Sequence, residues 1–438
     1  MRKKRTAQAS IYEVFAPHDI GRELQAMSDW LDEHREVLDW VARDVRRRGL
    51  KPTGRSGLSV ESVLRCALLK QHRQLSYEEL AFHLYDSASF QAFARLPMHW
   101  CPKKSALQRV VSAIRPQTWE RINGVLMGSA REDRFEPGER VRIDSTVTDS
   151  PIHEPSDSSL LWDGVRVLVR LLEQAQELPG APALYYVNHG RVAKKRARAI
   201  RYARGSKKRT RLYRDLLKVT RATLGYVEAV ADCLQRAGVW GIAFEGWLGQ
   251  AHYYKPLIER VILQTERRVF AGEAVPASDK VVSLFEPHTD IIVKGSRKVQ
   301  YGHKLNLVSG RSGLILDVVI ERGNPVDSQR FVPMLERHAE RYGCMPRQAA
   351  ADGGYASTGN LRVAKDKGVE DVAFHKKRGL AIEDMVKSQW VYRRLRNFRA
   401  GIEAGISCLS APMGWRGARG RAWRTSTPTS GRRWWPTI

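Results

Sequence analysis

Asp144, Asp352 and Glu403 are the acids of this 438-residue chain whose settings suit phosphodiester chemistry. Asp144 closes the alternation Val141-Arg142-Ile143. Asp352 follows the small apolar run Ala349-Ala350-Ala351 and precedes Gly353-Gly354-Tyr355. Glu403 stands in Phe398-Arg399-Ala400-Gly401-Ile402-Glu403, downstream of a strongly basic stretch. Cutting or joining a phosphodiester requires activating a water or a 3′-hydroxyl and stabilising charge on both the attacking and the leaving oxygen. Two divalent ions about 4 Å apart do this, and carboxylate oxygens suit Mg2+ or Mn2+. Acids at the ends of neighbouring strands, with a third on a helix beside them, meet that geometry. The pattern predicts that Asp144 and Asp352 end strands and that Glu403 is helical. Taken singly each has a plainer role, because an Asp at a strand end is usually a turn or cap residue and a lone helical Glu is a solvated charge.

The elements that must position these acids follow from apolar periodicity. Residues 1–135 read as a helical N-terminal domain for DNA binding or dimerisation. Its first apolar period runs from Leu24 to Val45, and a second helix begins near Ser59. Ser76-Tyr77-Glu78-Glu79 reads as a capping box, and Pro102-Lys103-Lys104-Ser105 opens a segment with Leu107, Val110, Val111 and Ile114 on one face. Short helices joined by short turns fit a helix-turn-helix-like module, or equally a packing domain. Pro137-Gly138 marks a boundary. Beyond it, 138–409 reads as an α/β domain. A strand ends in Asp144, and a mostly helical insertion spans about 160–275. Strands follow at Val281–Phe285, Ile291–Val293, Val299–Val308 and Leu314–Ile320. A helix at Phe331–Arg341 is capped by Asp327 or Ser328, and a short strand then reaches Asp352. A helix at Asn360–Lys367, a strand at Val369–Phe374 and a basic helical end complete the domain.

Composition points the same way. The net charge of +27 and the pI near 10.2 are an electrostatic footprint for a polyanion. No run of 18 apolar residues exists to span a bilayer. Met1-Arg2-Lys3-Lys4-Arg5 has no apolar stretch behind it that would make a secretory signal. Five scattered cysteines without a CxxC pair argue against structural zinc and for a reducing compartment. A nucleic acid is the expected partner, and a cytoplasmic, nucleoid-associated location is expected.

Arg142-Ile143-Asp144-Ser145-Thr146-Val147 followed by Ile152-His153-Glu154-Pro155-Ser156-Asp157-Ser158-Ser159-Leu160-Leu161 resembles the first catalytic block of bacterial insertion-sequence DDE transposases. Asp352-Gly353-Gly354-Tyr355 resembles the second block. Arg399 and Glu403, four apart on one helical face, resemble the third. The segment Ser59–Ile114 is similar to the small helical N-terminal domain of those proteins. The resemblance covers most of residues 15–409 and implies an RNase H-like core of mixed sheet and helices. It implies Asp144, Asp352 and Glu403 as ligands of two magnesium or manganese ions, and Arg399 facing a DNA phosphate. It also implies strand cleavage and transfer at terminal inverted repeats, with at least a dimer on DNA because both ends are handled together. Two positions depart from the pattern: Arg396 stands where the family often has Tyr, and Ser410 where it has Lys. The tail 410–438 holds Trp415, Trp423, Trp434 and Trp435, six arginines and no acid. It reads either as a nucleic-acid-binding arm or as the product of a shifted reading frame.

Arg191 to Arg214 contains twelve Lys or Arg and no acid. Lys194, Lys195 and Arg196, with Lys207, Lys208 and Arg209, are its densest clusters. Such a run is either a solvated face or a phosphate-binding one, and here it is expected to bind DNA. His153 and Glu154 lack a second histidine at helical spacing, so a zinc role is not expected. Asp157 is expected either beside the site or as a cap for the helix after it.

Overall fold

A computed structural model of the protein describes residues 19–46, 57–97, 100–293 and 298–410. The Arg/Trp-rich tail beyond residue 410 lies outside the described residues. The chain forms two compact units, one of Met1–Asp144, Asn306–Val318 and Val326–Ile438, the other of Ser145–Leu305 and Val319–Pro325.

The first unit begins with α1 (Asp19–Glu33), α2 (Val37–Arg46), α3 (Val60–His72), α4 (Tyr77–Asp86), α5 (Ala88–Phe93), α6 (Lys104–Val111) and α7 (Pro116–Glu132). The apolar period from Leu24 to Val45 is two helices, not one. His34 follows the first, stacks on Trp30 and places Nδ1 2.9 Å from the Trp30 carbonyl, which its backbone N–H also reaches at 3.0 Å. Ser59 caps α3 through Ser62 N–H, and Ser76 and Glu79 form a reciprocal capping box on α4. Helix α3 is buried almost throughout, so a charge on it needs partners. Arg65 is fully buried and donates to Glu61, to Ser28 Oγ and to the Phe93 carbonyl, while Arg95 also binds Glu61.

In the same unit, five strand segments run in the order β4-β3-β1-β5-β6. These belong to β1 (Arg140–Asp149), β3 (Gln300–Ser309), β4 (Ile315–Ile320), β5 (Gln348–Ala351) and β6 (Asp371–Phe374); β2 (Asp290–Ile292) pairs antiparallel with the start of β3 in the second unit. The central pairs are parallel, with Arg140 opposite Gln348 and Ile143 opposite Ala351, then Ala351 opposite Phe374. Ala349, Ala350 and Ala351 are fully buried, as a strand covered on both faces requires. Gly313, at φ +91°, turns β3 into β4, a backbone state that favours glycine. The buried Glu136 carboxylate accepts the N–H and Oγ of Ser312 in that turn. Helices α12 (Phe331–Tyr342) and α13 (Thr358–Asp366) connect the later strands. The expected Asp327 or Ser328 cap of α12 is absent: Asp327–Gln329 form a 3-10 turn, and Arg330 stands at the N-cap without a side-chain capping bond. The sheet is that of an RNase H-like mixed α/β fold.

His338 on α12 places Nε2 2.9 Å from the Gly138 carbonyl and is buried. Burial pulls its pKa from 6.5 down to about 4, against the Gly138 bond and the charges of Glu136 and Asp317 and with that of Arg341. The folded pKa is depressed, so the contribution to stability is complete above pH 6.5 and is lost as pH falls from 6.5 through 4. That loss is on the order of 3 kcal/mol. Urea unfolding measured across this pH range should show the decline, and His338→Gln, which keeps a donor, should flatten it.

The second unit is built on α8 (Asp157–Gln176), α9 (Gly190–Tyr202), α10 (Ser206–Arg236) and α11 (Ile242–Val269), which enclose one apolar core including Leu168, Leu216, Trp247 and Ile258. The sequence suggests that the basic block interrupts the helical pattern, but the block is itself helical. It forms α9 and the first turns of α10, because Ala193, Ala197, Ile200 and Tyr213 recur at helical spacing and bury against the core. Val281–Phe285 is not a strand. Val281 and Leu284 bury in the helical core, and Val281 N–H donates to Gln264 on α11, so this apolar run is satisfied without a sheet partner. Asp157 does not cap α8; Ser156 does, and buried Asp157 instead accepts from Arg268 and Gln264 on α11.

Candidate functional site

Asp144 is not the end of its strand but lies near its middle, since β1 continues to Asp149. What ends there is the parallel pairing, whose last pair is Ile143 with Ala351. Asp144 and Asp352 are the next residues on the two strands. Parallel register therefore sets two carboxylates side by side, from positions 208 residues apart in the chain. Asp352 is followed by a 3-10 turn at Gly353–Tyr355, anchored by the buried Tyr355 hydroxyl, which donates to Asn306 Oδ1 at 2.7 Å. Side chains at Gly353 and Gly354 would collide with Lys376 and Asp327, their Cβ atoms 2.6 and 2.7 Å from the nearest atoms. The paired glycines serve close approach here.

Arg399 joins the two aspartates. Its Nη2 lies 2.8 Å from Asp144 Oδ2 and 3.7 Å from Asp352 Oδ1. Asp144 is largely buried, while the Asp352 side chain is 43% exposed, so the pair opens to solvent on the Asp352 side. Arg399 thus contacts carboxylates in this structure, whereas the sequence placed it toward DNA phosphate.

Glu403 is not brought to the pair. Arg399 and Glu403 do not share one helix: α15 (Gln389–Ala400), preceded by the short α14 (Ile382–Met385), ends before Gly401, and α16 (Ile402–Ser410) begins after it. Glu403 is exposed in the first turn of α16. The cause of the break is Arg142, a residue that sequence reasoning passed over. Its guanidinium donates to the Phe398 carbonyl at 2.8 Å and to Ser309 Oγ, and lies 4.8 Å from the Phe398 ring centre. A Cβ at position 401 would sit 2.2 Å from Arg142 Nη1. An arginine inside the Val141–Ile143 alternation of a central strand must be buried and bonded, and that was the available signal. Gly401→Ala should cost about 1–3 kcal/mol through overpacking, read as a lowered urea midpoint.

Donor chemistry decides whether a divalent cation fits. Two aspartate carboxylates suit a hard ion, and they already share one cationic nitrogen. Among the described residues no three His, Cys, Asp or Glu side chains come together as a metal-holding group. The residues therefore fit one cation at the Asp144–Asp352 pair, in competition with Arg399, and a second only if Glu403 approaches.

In the second unit, Lys194, Lys195, Lys207, Lys208 and Arg209 are exposed on α9 and α10. Arg196 is half-buried, 3.8 Å from Asp215. Helical folding thus turns the block into an outward cationic face. His153 pairs with Asp163 on α8 at 2.8 Å, and Asp163 also holds Arg166, so His153 fastens its loop.

Two family models match the chain. Residues 19–112 match the family described as Transposase domain (DUF772), and residues 288–426 match Transposase DDE domain. The second match runs past Ser410. No curated protein and no solved structure matches the chain. No helix among the described residues is long and apolar enough to cross a membrane. With a transposase domain at one end, a DDE domain at the other and an RNase H-like sheet carrying two paired aspartates, the chain belongs to the insertion-sequence DDE transposases.

Proposed function

We propose that the chain binds DNA and cleaves and transfers strands at the terminal inverted repeats of its element, using Asp144 and Asp352 as the central catalytic pair. The observation that carries this reading is the register that sets the two carboxylates side by side where the parallel pairing of β1 with β5 ends. Mg2+ or Mn2+ held by these oxygens supplies Lewis acidity to the reacting phosphate. Asp144 and Asp352 orient that ion. Arg399, released from the pair, offers a planar two-point donor to a phosphate. Glu403 completes the ligand set, with a second ion, once α16 swings at Gly401. Residues 1–135 act in DNA binding or dimerisation, 138–409 carry the chemistry with the insertion at about 160–275, and two copies handle the two ends. The test is nicking of duplex DNA carrying the terminal repeats, with and without Mg2+. Metal-dependent nicks at the repeat ends support the reading, and binding without nicking rejects it.

A second reading is a decayed transposase that only binds DNA. It is favoured by the exposed Glu403 apart from the pair, and by Ser410 in place of the family's Lys. In either reading α9 and α10 grip phosphates. Changing Lys207, Lys208 and Arg209 together to Gln should weaken duplex binding at every sequence and lower the slope of log affinity against log salt by about 2.7. Anisotropy titrations at several salt concentrations measure both.

A further inference from the structure

At the opposite end of the parallel strands from the aspartates, a cavity of about 220 Å3 opens around Arg140, Arg311, Lys387, Trp390 and Arg394. Arg140 begins β1 opposite Gln348 on β5, so the cavity stands about 13 Å along the strands from the acid pair, at 3.3 Å per residue. Arg347, also in its wall, is neutralised by Glu370 at 2.8 Å. The other four cations form no ion pair among the described residues. Glu139 is the one acid in the lining. Besides burial, the charges of Arg394 and Arg311 disfavour the ionised form of Arg140, so these guanidiniums are close enough to repel one another. Trp390 keeps 65% of its surface exposed, and Arg394 lies 5.2 Å from its ring centre.

A concave cluster of mutually repelling cations beside an exposed indole is costly to an isolated protein and is relieved by an anion carrying a flat ring. We propose that this cavity binds an unpaired DNA strand, with backbone phosphate on Arg140, Arg311 and Arg394 and a base stacked against Trp390. A volume of this size takes a phosphate and part of one nucleotide rather than an inserted duplex. Stacking on an aromatic needs a base free of its partner, and it tolerates any sequence. The inference rests on the DNA reading above but concerns a place distinct from the acid pair and from α9 and α10.

The test uses the full chain and anisotropy with three probes: a short labelled single strand, the same strand with abasic sites, and a duplex. Arg311→Gln with Arg394→Gln should weaken single-strand binding roughly tenfold or more and lower its salt slope by about 1.4. Trp390→Ala should weaken binding of the normal strand to the level of the abasic one, and Trp390→Phe should restore it. Duplex binding should change little in all three. These side chains are exposed, and matching melting curves confirm that the variants fold. Unchanged single-strand affinity with duplex binding intact overturns the cavity and leaves the transposase reading standing. Displacement of the strand by inorganic tripolyphosphate together with indifference to Trp390→Ala also overturns it, in favour of a free polyphosphate site. A wild-type chain that binds no DNA overturns the transposase reading itself.

Discussion

Asp144→Asn should abolish metal-dependent nicking, by about a thousandfold or more, while leaving duplex binding intact or slightly tighter. A bound metal contributes several kcal/mol to transition-state charge, and each 1.36 kcal/mol is tenfold in rate. Asparagine keeps the shape and one acceptor for Arg399 but lacks the charge that a divalent ion requires. Asp144 is the more buried of the pair and lies 2.8 Å from Arg399, so its loss also frees the guanidinium. Asp352→Asn should act alike. Glu403→Gln tests the part that α16 plays in nicking. A comparable loss means that α16 carries the third ligand into place during the reaction; unchanged nicking means that the aspartate pair works alone. Comparing the three variants on one terminal-repeat substrate, with binding measured in parallel, reads all of this.

The second large effect concerns stability. Arg65→Met should destabilise the N-terminal helices by about 3–5 kcal/mol, the usual consequence of removing one member of a buried charge network. Methionine fills much of the volume, but it leaves the Ser28 hydroxyl and the Phe93 carbonyl without this donor and Glu61 with one cation fewer. Arg95→Gln, at a partly exposed position, should cost clearly less. Urea unfolding followed by tryptophan fluorescence orders the two, and an equal effect would reject this account of the network.

Much of the fold was readable because apolar periodicity and cap chemistry are local. Ser59, and Ser76 with Glu79, act within a few residues of where the sequence shows them. The failures have one physical cause, which is tertiary partners that periodicity does not display. Val281 and Leu284 look like strand residues, yet a helical core buries them. Arg399 to Glu403 looks like one helical turn, yet Arg142, more than 250 residues earlier, takes the Phe398 carbonyl and fills the space beside Gly401. The basic cavity drew no notice because Arg140, Arg311 and Arg394 are ordinary surface residues until the sheet gathers them. The acid pair stands between these cases: both settings were visible locally, but only strand register made them neighbours.

That register also bears on how such a chain can change through descent. The pairing of β1 with β5 takes no residue from α8 to α11. Loop closure grows only logarithmically with length, costing about 0.6 kcal/mol per doubling. The helical unit of α8 to α11 is therefore a cassette that can lengthen, shrink or be exchanged at small cost to the aspartate pair. DNA preference and chemistry can then vary on separate schedules. A deletion of one residue within Ala349-Ala350-Ala351 would do what the loss of a whole helix from the cassette would not: it would turn Asp352 to the opposite face of the sheet.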